Sequence, residues 1–171
     1  MPHKILSSKK GFSLVETLIY IGLMSVLLGS LFYLINSASV TYLSLKSSRD
    51  IERSAINIME SIDTQANLSS KIDITNTSFD NATGSISLLS FDSLGNSTST
   101  KIYLFNNQVM LSQNKVVLGP LGLSDVRVTS LIVRNLSTST TDAFKVELTL
   151  DNATSSNTYL LEKFYNTYIL R

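Results

Sequence analysis

Hydrophobic and polar residues follow three successive patterns along the chain. Residues 12–35 are almost unbroken apolar sequence with one charge, Glu16. Residues 36–66 repeat apolar positions at three- and four-residue spacing (Val40, Leu43, Ile51, Ala55, Ile58, Ile62, Ala66), with Ser47 filling the gap. Lys46, Arg49, Asp50, Glu52, Arg53, Glu60 and Asp63 occupy the other sides. From Asn67 the period drops to two, clearest where Phe144, Val146, Leu148 and Leu150 alternate with Lys145, Glu147 and Thr149.

These patterns predict one continuous helix over about 12–66 and then an antiparallel sheet. No proline interrupts that span and no glycine follows Gly29 within it; the alternative is two helices with a bend near Asn36-Ser37. Candidate strands are Lys71–Thr75 (weak), Ser85–Phe91, Thr100–Phe105, Gln108–Ser112, Val116–Leu118, Val126–Arg134, Phe144–Leu150 and Tyr159–Leu170. Asn106-Asn107 is a tight-hairpin signal. The fold class is α+β: a long N-terminal helix, all-apolar then amphipathic, packed on a C-terminal antiparallel β-sheet in the form of a ladle. The sheet's inner face is expected to cover the apolar stripe of 40–66. The expected organisation is a basic leader at 1–11, a membrane or filament-core helix at 12–35, its amphipathic continuation at 36–66 and an extracytoplasmic β domain at 67–171.

As a helix, 12–35 is roughly 36 Å long at about 1.5 Å per residue, sufficient for a hydrocarbon core of about 30 Å. Lys4, Lys9 and Lys10 precede it, so positive charge holds that end in the cytoplasm and the bulk of the chain is exported. A cleaved signal peptide, with Ser37-Ala38-Ser39 as its cutting site, has a shorter apolar core and no carboxylate within it. A soluble core helix of this kind needs more protein around it than the chain provides. A plain signal anchor accounts for length and lysines but not for Glu16, which costs about 2.5–3.5 kcal/mol at a membrane helix centre and less toward the interface. A cut between Gly11 and Phe12 accounts for it. Phe12 then carries a free amine at the same helix end as Glu16, where the two do not easily pair within one chain. A neighbouring helix shifted by about one turn could bring its amine beside this carboxylate.

Gly11, Phe12, Ser13, Leu14, Glu16, Leu18 and Ile19, after a short basic leader, resemble the N-terminus of type IV pilins and pseudopilins. The resemblance implies cleavage after Gly11 by a membrane-embedded prepilin peptidase, N-methylation of Phe12, and assembly into a helical filament with Glu16 in the role just described. The implied partners are other pilin or pseudopilin subunits, the prepilin peptidase/methyltransferase, an inner-membrane assembly platform and the lipid bilayer. The implied location is the bacterial cytoplasmic membrane, single-pass with a cytoplasmic N-terminus, and then a pilus or pseudopilus. Many major pilins carry a proline in the second half of this helix. Here Gly22, Ser25 and Gly29 form a small-residue strip instead, read either as a helix-packing surface or as ordinary membrane-helix composition. The final strands resemble those of minor pilins and minor pseudopilins, so the expectation leans to a minor subunit.

Composition narrows the chemistry. The chain has no cysteine and one histidine, His3, in the predicted leader. Disulfides, thiol nucleophiles and the usual nitrogen metal ligands are thereby excluded from the mature chain. Asp92–Asn96 is a loop without the alternating ligand spacing of a calcium site. No enzyme activity, cofactor or metal is expected. Net charge is +1, and the lysines and arginines from Lys71 onward are dispersed, so nucleic acid is not indicated. With 28 Ser, 16 Thr and 13 Asn among 171 residues, the surface suits an exported domain. The rival reading is a membrane-tethered exported binding or adhesion domain that does not polymerise.

Overall fold

The computed structural model describes residues 13–152 and 160–170. The expected leader with its cleavage site at Gly11 and Phe12, Tyr159 and most of the 151–157 loop lie outside the described residues. The layout is α+β. Helix α1 (Leu14–Asn67) is followed by eight strands: β1 (Lys71–Ile72), β2 (Ser85–Phe91), β3 (Ser97–Phe105), β4 (Gln108–Gln113), β5 (Val116–Pro120), β6 (Val126–Asn135), β7 (Ala143–Asn152) and β8 (Leu161–Ile169). The chain divides into two compact units between Leu43 and Ser44, and α1 contributes to both.

In the first unit every described residue, 13–43, is exposed. In the second, α1 buries Ile51, Ser54, Ala55, Ile58, Ile62 and Ala66. The expected stripe is thus covered from Ile51 onward, whereas Val40 and Leu43 are exposed. At its end α1 closes by local bonds. Leu68 N donates to Thr64 O at 3.2 Å, and the Ser69 hydroxyl to Gln65 O at 2.7 Å, satisfying terminal carbonyls.

The strands form two sheets, one five-stranded in the order β1-β2-β3-β4-β5 and one three-stranded in the order β6-β7-β8, with every strand pair antiparallel. The sequence pattern alone did not separate them. The division falls at 121–125, where the chain drops onto α1. Leu123 N donates to the Ser54 hydroxyl at 3.1 Å, and a Cβ at Gly122 would lie 2.8 Å from that same oxygen. A strand with side chains on both faces cannot pass so close to a helix, so pairing stops at Pro120 and restarts at Val126. The sheets meet where Gly84 N donates to Leu131 O and Leu131 N to Ala82 O, both at 2.8 Å.

Two further expectations are refined. The weak strand Lys71–Thr75 is paired only over Lys71–Ile72, then turns into a 3-10 helix (Ile74–Asn76) capped by Asp73. The carboxylate accepts from Asn76 N at 3.3 Å, an alternative the backbone takes in place of the ladder. In β6 the sequence VRVTSLIV slips phase, and so does the strand. Val126 and Val128 are buried before the irregularity, Leu131 and Val133 after it. One extra residue in the strand keeps both pairs facing the core.

Asn106 and Asn107 connect β3 to β4 with φ of 48° and 60°. Both values are left-handed, as a two-residue hairpin with the native twist requires. Asn114 and Lys115 repeat the geometry between β4 and β5, at 49° and 69°. Asn107→Val is expected to lower stability by about 1–3 kcal/mol, because a β-branched residue resists this φ; a thermal melt of the full chain in detergent checks it.

The core joins Ile51, Ile58 and Ile62 of α1 to Ile86, Leu88, Ile102 and Val109 of the larger sheet and Leu131, Val133, Phe144, Val146, Leu148 and Leu150 of the smaller one. On the outer face of the smaller sheet, Glu147 accepts from Arg134 at 3.0 Å and Lys145 at 2.9 Å. These bonds, Arg134's first, hold the Glu147 carboxyl down to about 2. The stabilisation is complete above the ordinary carboxyl value of 4.5 and is lost as pH falls through about 2. Glu147→Gln is therefore expected to flatten the acid side of the stability profile between those values, read as melting temperature against pH.

Candidate assembly site

Glu16 lies in the first turn of α1. There the helix dipole favours a carboxylate, by about 0.3–1 kcal/mol at an exposed end. That local gain is smaller than the cost of a carboxylate deep in hydrocarbon, and the segment following Glu16 is long and apolar enough to cross a membrane. Nothing in the first unit shields these side chains: Leu14 is 77% exposed, Phe32 72% and Tyr33 75%. So large an apolar surface belongs in lipid or against other helices.

Three hydroxyls of the segment are satisfied within it. Thr17 donates to Ser13 O at 3.2 Å, Ser25 to Ile21 O at 2.8 Å and Ser30 to Leu27 O at 2.8 Å. Each leaves the helix self-sufficient in an apolar medium. Glu16 is the exception, since a carboxylate carries a charge that no local backbone acceptor can neutralise.

The small residues do not share its face. At about 100° per residue, Tyr20, Leu23, Leu27 and Ser30 fall within about 40° of Glu16, while Gly22, Ser25 and Gly29 fall about 120–180° away. A Cβ at Gly22 or Gly29 would meet no atom within 4 Å. The packing of this chain therefore does not require glycine at either position, although glycine in a helix costs roughly 0.5–1 kcal/mol relative to alanine. The helix presents two separate features, an acidic first turn and a smooth strip on its other side.

Among the described residues no three His, Cys, Asp or Glu side chains come together as a metal site would need. The Asp92 carboxylate accepts from Leu94 N and Asn96 N at 2.8 Å and from the Asn96 side chain at 2.9 Å. Those bonds, the Asn96 side chain's first, lower its proton affinity and make it the clasp of its own loop. Tyr168 is core: its hydroxyl donates to Met59 O at 3.1 Å, and its ring stacks on Phe144 at 5.1 Å. Phe164 packs against the same core. Tyr165 faces outward, with the Lys145 ammonium 5.2 Å from its ring centre. Sequence spacing left the lysines scattered, yet strand pairing brings Lys101 and Lys115 to one hollow beside Tyr103. The shared parity of Ser85, Ser87, Lys101 and Tyr103 along β2 and β3 was the available signal.

A family model described as the prokaryotic N-terminal methylation motif matches residues 6–32. This is the signature of type IV pilins and pseudopilins, and it spans the end of the expected leader and the apolar half of the helix. No curated protein and no solved structure compared with the chain matches it.

Proposed function

We propose that the chain bearing this motif is a structural subunit, of the minor class, of a type IV pilus or of a type II secretion or competence pseudopilus. The motif supports an exported, pilin-like subunit anchored by one apolar helix, with other pilin-type subunits and a prepilin peptidase as its general partners. In this reading the peptidase cuts between Gly11 and Phe12, and the new amine of Phe12 is methylated. The helix waits in the cytoplasmic membrane with its N-terminus on the cytoplasmic side, then passes into the filament through the assembly platform. Glu16 meets the amine of an adjacent subunit there, and Gly22, Ser25 and Gly29 let another helix approach closely. The sheets remain at the filament surface.

The observation that carries this is the pairing of one carboxylate with a fully exposed apolar helix. Lipid accommodates the helix but not the charge; a bundle of offset helices accommodates both. In low dielectric an unpaired carboxylate is costly and a paired one far less so. The absence of a proline from 12–66 favours the minor class.

Intact-mass and N-terminal peptide analysis of the chain extracted from its native membrane tests the processing. A chain starting at Phe12 and one methyl group heavier is expected. A chain retaining Met1, or one starting at Val40, contradicts the proposal.

A further inference from the structure

The outer face of the five-stranded sheet carries a hollow of about 520 Å³. We infer that it is a binding site for an acidic saccharide, with Lys101 and Lys115 receiving the carboxylate, Tyr103 the sugar face and the strand serines its hydroxyls. The reading is independent of whether the chain polymerises.

The hollow follows from the strand register. Ser87, Lys101 and Ser112 form one cross-strand row, and Ser85 pairs with Tyr103 in the next. Ser85, Ser87 and Ser112 are each more than nine-tenths buried, although they lie on the face away from the core. Serine fits a strand poorly, where branched and aromatic residues pack better. Three of them among larger neighbours leave a depression floored with hydroxyls. Two of these hydroxyls bond to protein only at long distance: Ser87 to Ser99 at 3.4 Å and Ser112 to Lys101 O at 3.3 Å. Each retains capacity for a ligand.

The charge is one-sided. Lys101 and Lys115 line the hollow, no carboxylate does, and neither lysine forms an ion pair among the described residues. The volume falls in the range of about 300–1,000 Å³ typical of small-molecule sites. Many hydroxyls, one aromatic ring and two ammonium groups match a ring with several OH groups and a single anionic substituent. A nucleic acid strand asks for a longer basic track and more stacking rings than this face provides.

Isothermal titration of the full-length chain in nanodiscs, at low salt, tests the inference. The probes are digalacturonic acid, maltose, sodium sulfate and an oligothymidylate. Digalacturonic acid is expected to bind, maltose and sulfate at least roughly tenfold more weakly, and Lys101→Gln and Tyr103→Ala each to weaken it by roughly tenfold. Lys115→Gln, a change on an exposed turn, gives a second readout free of folding effects; melting temperatures certify all three variants. Equal binding of maltose or sulfate overturns the inference. So do tighter binding of the oligothymidylate, variants that fold and bind like the parent, or no digalacturonic acid binding up to millimolar concentration.

Discussion

Glu16→Ala is expected to leave membrane insertion intact and to abolish recovery of the subunit in filaments. Removing the carboxylate makes the helix more apolar, so its partition into lipid improves by about 2.5–3.5 kcal/mol at most, less near the interface. Assembly changes in the opposite direction. On the proposed pairing, an adjacent subunit's amine is left buried without its counter-charge, and breaking a buried pair by deleting one member costs about 3–5 kcal/mol. At about 1.4 kcal/mol per factor of ten, incorporation falls by roughly two to four orders of magnitude. Membrane fractionation and quantification in sheared filaments separate the two effects. Glu16→Gln keeps the shape but not the charge, and is expected to resemble alanine rather than the parent. Under the tethered-domain alternative neither change alters anything downstream of insertion.

The largest effect on stability is expected at Phe144. Its side chain is completely buried, stacked on Tyr168 and set near the start of β7, the central strand of the smaller sheet. Phe144→Ala is expected to cost about 3–5 kcal/mol, a large part of the roughly 5–15 kcal/mol available to a folded domain. Thermal melts of the full chain in detergent are expected to fall by roughly 10–20 °C. Phe144→Leu retains most of the volume and is expected to lose about 1 kcal/mol. Tyr168→Phe separates the ring from the hydroxyl: it removes the side-chain donor to Met59 O, a carbonyl inside α1, and is expected to cost about 1 kcal/mol. A Phe144→Ala chain that melts like the parent would mean this region of the core is not what holds the sheets to the helix.

Most of the fold was legible because each element announced itself locally. The helix from Leu14 to Asn67 carries no breaker. Strand β2 runs over the span its composition suggests, Ser85–Phe91, and Asn106-Asn107 fixed the register of β3 against β4. What was hidden depended on distant partners. The helix stripe at 40–66 looks uniform in sequence, yet only its part from Ile51 is covered, because coverage depends on where the sheets sit. Separation into two sheets turned on Gly122 meeting Ser54, two residues 68 positions apart, for which no local pattern exists. The slip in β6 depends on β7, since only pairing places Val128 and Ser130 opposite its successive residues Leu150 and Thr149. Among the candidate site residues, Glu16 was readable because a charge in an apolar run is locally anomalous. The hollow at Lys101 and Lys115 was not, since it arises from four strands folded side by side.

Carbodiimide coupling inside purified filaments tests the role of Glu16 most directly, since an apolar reagent joins a carboxylate to an amine only where they touch. The account predicts a digest in which the Glu16 peptide is joined to a second chain's N-terminal peptide, two N-termini in one species. A cyclised single peptide, with Glu16 coupled to its own Phe12, or a Glu16 peptide recovered unlinked from every filament preparation, would contradict it.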